Sequence, residues 1–181
     1  MRVYAISGLS GAGKTTAKKH ADRIGYETVS IGATVRRAYE ERGRAESIGE
    51  FVLRVHEADG RAQFTREAVA TLAERRSNRS KPSEGIVVEG VHSPASVQTV
   101  REAFGTVRVV WIHAPLTARL GRLEQREPEC RPSDVLTRDL RELNSGLAEL
   151  AAPLGHDYCL LNGGTRDEFE QRLGALFGTG A

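Results

Sequence analysis

The chain has 181 residues, the length of one domain, and its content of 39% hydrophobic and 28% charged residues is typical of a soluble globular protein. Its formal net charge of +2 excludes a strong overall field for nucleic acid or a membrane surface. No run approaches the roughly 18 apolar residues of a membrane span. Cys130 and Cys159 lack metal-site spacing, and the first apolar run begins almost at Met1, so we expect a reduced, cytoplasmic setting.

Strand-like apolar runs alternate with helix-like runs along the chain, and glycines stand where several helices should stop. The predicted strands are residues 3–6, 27–31, 85–89, 107–113 and 158–161. The predicted helices are residues 14–24, 34–42, 47–58, 61–79, 94–104, 116–127, 132–150 and 166–177. This order predicts one α/β domain over residues 1–181, with a five-stranded parallel sheet and helices on both faces. Ligands of such a sheet bind at the carboxyl ends of the strands.

The strongest motif lies between the first predicted strand and the first predicted helix. Residues 8–15 read GLSGAGKT and fit the P-loop pattern G-x-x-x-x-G-K-[ST] in its strand–loop–helix context. The glycines allow backbone N–H groups to surround a polyphosphate, and the helix directs its positive end at the same anion. We expect Lys14 to reach the β- and γ-phosphates of ATP and the Thr15 hydroxyl to bind Mg²⁺. The predicted nucleotide-binding residues here are Gly8, Ser10, Gly11, Ala12, Gly13, Lys14, Thr15 and Thr16.

Basic residues follow the second predicted strand. Arg36 lies just after it, across from the P-loop, and Arg54 and Arg66 lie on the next two predicted helices. An acceptor that carries a phosphate would need arginines in this region, which predicts acceptor-binding helices at about residues 33–80. A solvated helix face is the alternative, above all for Arg54 and Arg66.

Two candidate residues follow the third predicted strand. Glu89 ends the apolar run 86–88, where a P-loop enzyme keeps the acid that binds Mg²⁺ through water, so we predict a catalytic and metal-binding role for it. A strand-end glutamate that faces solvent is the alternative. His92 is a candidate acceptor ligand whose charge would change near neutral pH. No cluster of His, Cys and Asp accompanies it, which argues against a transition-metal site.

A group of arginines predicts a small mobile lid at about residues 119–141. Arg119, Arg122 and Arg126 share one helical face, and Arg138 follows beyond a segment with two prolines. Such arginines could neutralise the transferring phosphoryl group, and we expect Arg126 and Arg138 to be exposed without ligand. An ordinary surface helix with glutamate partners is the alternative.

Over residues 2–177 the chain resembles the P-loop nucleotide kinases, and most closely the archaeal adenylate-kinase-related proteins that are also described as dephospho-CoA-kinase-like. The resemblance rests on the P-loop and on five weaker segments in the same order. These are IGATVR at 31–36, VVEGVHS at 87–93, RLGRLEQR at 119–126, RDLREL at 138–143 and DYCLLNGG at 157–164. It implies the three-layer P-loop NTPase fold with a small lid, and transfer of the ATP γ-phosphoryl group to a nucleotide-like acceptor.

The resemblance also implies roles for single residues. Arg36 becomes a ligand of the acceptor phosphate, and Asn162 and Gly163 become candidates to line the adenine. The implied lid-side phosphate ligands are Arg119 or Arg122, Arg126 and Arg138. Two positions depart from the family pattern: His92 stands where an arginine is expected, and Ala33 stands where relatives have an aspartate.

The missing carboxylate at Ala33 bears on the acceptor. A hydroxyl acceptor usually needs a positioned base, whereas a phosphate is already ionised at pH 7 and needs only cationic groups around it. The sequence therefore favours a nucleoside monophosphate, with AMP as the first candidate by resemblance. Kinase activity on an alcohol such as dephospho-CoA, with Glu89 as base, is one alternative. A nucleotide-binding switch or slow NTPase without an acceptor is another. The expected partners are nucleotide substrates, with no nucleic acid and no membrane.

Overall fold

The computed structural model describes residues 1–43, 45–78 and 82–178. Within these ranges five strands form one parallel sheet in the order β2-β3-β1-β4-β5. The strands are β1 (Arg2–Ser7), β2 (Glu27–Ser30), β3 (Gly85–Glu89), β4 (Arg108–His113) and β5 (Tyr158–Leu161). The helices are α1 (Lys14–Arg23), α2 (Ile31–Glu41), α3 (Ile48–Asp59), α4 (Gln63–Ser77), α5 (Pro94–Phe104), α6 (Leu116–Glu124), α7 (Pro132–Glu142), α8 (Ala148–Ala151) and α9 (Arg166–Phe177).

Alternate residues of the strands face two hydrophobic cores, because successive side chains of a strand point to opposite faces. Ala5 and Val88 belong to the core that α2, α3, α4, α5 and α8 cover. Ile6 and Val87 belong to the core on the other face, which α1 and α9 cover. The prediction of a parallel sheet with helices on both faces is confirmed, and the carboxyl ends of the strands all meet at one edge.

Several helix and strand boundaries differ from the predictions, and the structure gives a physical reason for two of these differences. β2 ends at Ser30 because its hydroxyl accepts a hydrogen bond from the Ala33 amide at 3.3 Å and caps α2, which begins at Ile31. The predicted helix at 132–150 is divided into α7 and α8 by a π turn over Leu143–Leu147, where Gly146 adopts φ +111°. α4 ends at Ser77, and Arg79, the predicted end of that helix, lies outside the described residues.

None of the helices described in the structure is long and apolar enough to cross a membrane.

Candidate active site

A cavity of about 1130 Å³ opens at the carboxyl edge of the sheet. The P-loop and the start of α1 form one wall, and α6, α7 and the segment between them, where the sequence predicts a lid, form another. Gly32 and Arg36 of α2 and the loop after β3 line the cavity toward the β2 edge of the sheet. Since the cavity joins the nucleotide loop to the predicted acceptor region, it has the extent that two substrates require.

The P-loop is held from behind by the loop after β5. Gly13 begins α1 at φ +111°, and a Cβ atom there would lie 2.3 Å from Asn162 Nδ2, so only glycine fits. Asn162 is buried and donates to the Ala12 carbonyl at 2.8 Å, while Arg122 donates to the Gly11 carbonyl at 3.2 Å and the Asn162 carbonyl at 2.9 Å. The prediction for Asn162 and Gly163 is corrected in part: Asn162 and Gly164 line the cavity, and Asn162 also braces the loop.

Lys14 lies at the centre of the cavity wall. Its ammonium group donates to the carbonyl oxygens of Gly8 at 2.6 Å and Leu9 at 3.0 Å. Burial lowers the pKa of Lys14, and the negative charges of Glu142 and Glu89 oppose this shift. Its side-chain nitrogen therefore lies beside two carboxylates, at the wall that would face the terminal phosphates of a nucleotide bound in the loop.

The residues predicted to hold Mg²⁺ fit that ion. Thr15 is exposed at the start of α1 and lines the cavity, as does the buried Glu89 at the end of β3. Ser30 donates a short hydrogen bond to Glu89 Oε2, which fixes the carboxylate. A hydroxyl and a carboxylate beside a phosphate loop are the hard oxygen donors that Mg²⁺ prefers. Among the described residues, no group of three or more His, Cys, Asp and Glu side chains could hold a metal alone, so phosphate oxygens must complete this site.

Glu142, at the end of α7, is a residue of the site that the sequence does not indicate. Its carboxylate lines the cavity. The negative charge of Glu142 raises the pKa of Lys14 more than any other neighbouring charge does. Burial raises the pKa of Glu142 itself, with the Lys14 charge as the leading opposing influence. Nothing in its sequence context marks it, because only the return of α7 over the sheet brings it to the P-loop.

His92 does not behave as the sequence predicted. The pKa of His92 is lowered to about 3. Burial is the largest cause, followed by the charge of Lys14 and then by that of His56. The imidazole is therefore neutral at pH 7, and the expectation that its charge changes near neutral pH is wrong. It lines the cavity as a neutral polar group.

We predict that His92 makes the protein less stable in acid. Its folded-state pKa lies below the unfolded value of about 6.5, so the unfolded state binds more protons as the pH falls from about 6.5 to about 3. At pH 5 the loss should reach about 2 kcal/mol relative to pH 8. Urea unfolding at both pH values should show this loss in the wild type and a smaller one in His92→Asn. An equal pH dependence in the two proteins would contradict the assignment.

The prediction that Arg119 binds a nucleotide phosphate is wrong, because the structure does not place its side chain in the cavity. Its side chain forms a two-pronged ion pair with Asp139, with Nη1–Oδ1 at 2.9 Å and Nη2–Oδ2 at 2.6 Å, and donates to the Ser10 carbonyl at 3.0 Å. Arg119 is only 4% exposed. It therefore joins α6, α7 and the P-loop and fixes the base of the lid.

The other lid arginines face the cavity. Arg126 is exposed, as predicted, and lines the cavity with Arg122 and Arg138. Arg138 departs from the prediction because its side chain is only 28% exposed. It donates to Glu127 Oε2 at 3.0 Å and to the Ser10 hydroxyl at 3.3 Å.

The predicted acceptor-side arginines separate into two groups. Arg36 is exposed and lines the cavity, and its side chain has no hydrogen bond or ion pair within the part of the chain that the structure describes. Arg54 instead pairs with Glu46, with Nε–Oε1 at 3.0 Å, and lies over the Phe51 ring. Arg66 donates to the Asp59 carbonyl at 2.6 Å. Neither Arg54 nor Arg66 lines the cavity, so the acceptor role predicted for them is not supported by their positions.

A P-loop after the first strand, an acid at the end of the neighbouring strand and cavity-lining arginines on the helices after β4 of a parallel sheet define the class of P-loop kinase-like domains. A family model described as an AAA domain matches residues 3–150. The UPF0200 protein PAE1629 of Pyrobaculum aerophilum is 33% identical over 180 residues, which cover 97% of each chain. The chain thus belongs to the UPF0200 family.

Solved structures share the fold at low sequence identity. An unliganded sugar kinase from Janibacter sp. HTCC2649 superposes with a TM-score of 0.61 at 18% identity, over 99% of this chain and 96% of the other. A shikimate kinase from Bacteroides thetaiotaomicron superposes with a TM-score of 0.59 at 16% identity, over 98% of each chain. The fold predicted by resemblance is confirmed.

Proposed function

We propose that the protein is a kinase that transfers the γ-phosphoryl group of ATP to a nucleoside monophosphate. The P-loop is the evidence for ATP as the phosphoryl donor, and Arg36 is the evidence for an acceptor that carries a phosphate. Arg36 is the observation on which the acceptor depends, because it is a cavity-lining cation that follows the edge strand β2, two strands from the strand before the P-loop, with no carboxylate partner among the described residues. An arginine in that position suits a phosphate, which it can bind through two parallel hydrogen bonds.

The proposed reaction needs positioning and charge neutralisation more than proton transfer. An oxygen of the acceptor phosphate attacks the γ-phosphorus of ATP, and the bond from that phosphorus to the bridging oxygen breaks to release ADP. Lys14, Arg126 and Arg138 neutralise the charge that builds on the transferring group, while Arg36 holds the acceptor. Mg²⁺, held through Thr15 and Glu89, would supply further neutralisation of the phosphate oxygens when bound.

The neighbouring arginine provides a matched test of this role. Arg36→Ala should lower kcat/KM for the acceptor by about 10-fold or more, because a charge-assisted hydrogen bond to phosphate is lost, and should leave the KM for ATP unchanged. Arg37→Ala is the control, since Arg37 is more than half exposed and lies 3.9 Å from Glu41, away from the cavity. Equal acceptor kinetics in the two variants would contradict the proposal.

One observation favours an alcohol as a second candidate acceptor. Two carboxylates, Glu89 and Glu142, face Lys14 in the cavity, although the position that Ala33 occupies has none. Either carboxylate could take the proton of a hydroxyl group as it attacks phosphorus. The similar structures described as sugar kinase and shikimate kinase act on alcohols by name, so such acceptors belong in the assay.

A further inference from the structure

Glu142 is the last residue of α7 and lines the cavity. The guanidinium of the preceding Arg141 reaches α3, where a Cβ atom on Gly49 would lie 2.1 Å from Arg141 Nη1. On the other side, Gly146 packs against the loop after β3, where its own Cβ would lie 2.9 Å from Ser93 Cβ. The chain around Glu142 is thus held between α3 and the loop after β3, and the carboxylate of Glu142 lines the cavity close enough to Lys14 to raise its pKa.

One oxygen of this carboxylate lacks a hydrogen bond. Glu142 Oε2 is buried and has no partner in residues 1–43, 45–78 and 82–178, whereas Glu89 Oε2 accepts from Ser30. Leaving a buried charged oxygen unpaired costs free energy, and burial accordingly raises the pKa of Glu142. Glu89 is therefore already fixed by the protein, while Glu142 has an oxygen left to accept a hydrogen bond from a ligand.

The chemistry of the ligand restricts what can donate that bond. In its ionised form Glu142 only accepts hydrogen bonds, and fully ionised phosphate groups likewise only accept, so in that form neither the triphosphate nor the acceptor phosphate can donate to Oε2. Lys14 donates to the carbonyl oxygens of Gly8 and Leu9 instead. The hydroxyl groups of an acceptor are donors, and Arg36 would hold the phosphate of that acceptor in the same cavity.

We infer that Glu142 is a specificity-determining residue whose Oε2 accepts a hydrogen bond from a hydroxyl group of the acceptor. The inference rests on the proposed function and narrows its substrate class to acceptors with a hydroxyl close to the accepting group. In a nucleoside monophosphate the hydroxyl that donates to Glu142 belongs to the sugar, and it binds without taking part in the reaction. In an alcohol acceptor it is the reacting hydroxyl itself.

The test is a double-mutant cycle between Glu142→Gln and deletion of the hydroxyl from the acceptor. Steady-state kinetics with ATP compare ribonucleoside monophosphates with their 2′-deoxy and 3′-deoxy forms, together with dephospho-CoA and shikimate. Glu142→Gln should lower kcat/KM for the matching ribonucleotide by about 10-fold or more, and this loss should appear as a higher KM. The kcat/KM for the deoxy form that lacks the recognised hydroxyl should stay nearly unchanged. Glu149→Gln, an exposed carboxylate on α8, is the control. If an alcohol is the acceptor, the loss should fall on kcat.

Three results would overturn the inference. These are equal kinetics of Glu142→Gln and Glu149→Gln, equal losses for acceptors with and without the hydroxyl, and a loss confined to the KM for ATP. Calorimetric binding of the same nucleotides to both variants, with a non-hydrolysable ATP analogue present, separates this failure from that of the proposed function. Binding that depends on the hydroxyl and on Glu142 without any phosphoryl transfer would refute the kinase only. Binding that ignores both would refute the role of Glu142.

Discussion

Lys14→Ala should reduce ATP turnover by about 10²-fold or more while the protein remains folded. The ammonium group is a point charge at the wall of the phosphate cavity, where negative charge develops during transfer. Its removal should not harm the fold, because burial already disfavours the charged form of Lys14 and lowers its pKa. Turnover is measured as ADP formation at saturating ATP, and folding is checked by circular dichroism and thermal melting.

Lys18→Ala is the matched control for this variant. Lys18 lies one helical turn further along α1, pairs with Asp22 at 2.7 Å and does not line the cavity. It should retain nearly all activity, since a surface pair contributes little. If folded Lys14→Ala turned over ATP as fast as Lys18→Ala, the P-loop would have no catalytic role.

Asp139→Asn should destabilise the protein by about 3 kcal/mol or more. Asp139 is the partner of Arg119 in a buried ion pair, and its loss leaves the guanidinium charge uncompensated in a place only 4% exposed. Nε of Arg119 is already buried without a partner among the described residues, so little water can replace the carboxylate. Urea unfolding gives the change in the free energy of unfolding.

The control for this measurement is an exposed ion pair. Glu41→Gln removes the partner of Arg37, 3.9 Å away, where both side chains are more than half exposed, and should cost less than about 1 kcal/mol. If Asp139→Asn were no more destabilising than Glu41→Gln, the pair would not fix the lid to the P-loop. The arginines of the lid would then be free to move as the sequence analysis expected.

The fold could be predicted from the sequence because its signals are local. Residues 85–89 and 158–161 read as apolar strands, and residues 94–104 and 166–177 read as helices with capping residues; the structure has the same bounds for all four. The interruption of the helix after Glu142 could not be predicted in the same way. Gly146 adopts a positive φ there because it packs against Ser93, a contact 53 residues back along the chain.

The site could be predicted only where a motif fixes position. The P-loop places Lys14 and Thr15 at the cavity without any knowledge of tertiary structure. The spacing of Arg119, Arg122 and Arg126 predicts one helical face but not which side chain has a carboxylate partner, and the buried Asp139 decides that for Arg119. Likewise, the sequence makes both Arg36 and Arg54 acceptor candidates, with a surface role more expected for Arg54, and the structure separates them because Glu46 pairs with Arg54.

The most direct test of the proposed kinase is the balance of products when ATP is supplied with each of the common nucleoside monophosphates in turn. We expect one of them to stimulate ADP formation and to appear as its own diphosphate in equal amount, which for AMP means two ADP for each ATP consumed. This product formation should fall in Arg36→Ala but persist in Arg37→Ala. ADP and free phosphate released at the same slow rate with every acceptor would contradict the account and favour an NTPase. With an alcohol supplied in place of the monophosphate, release of ADP together with the phosphorylated alcohol, when no monophosphate is converted to its diphosphate, would contradict the nucleotide acceptor.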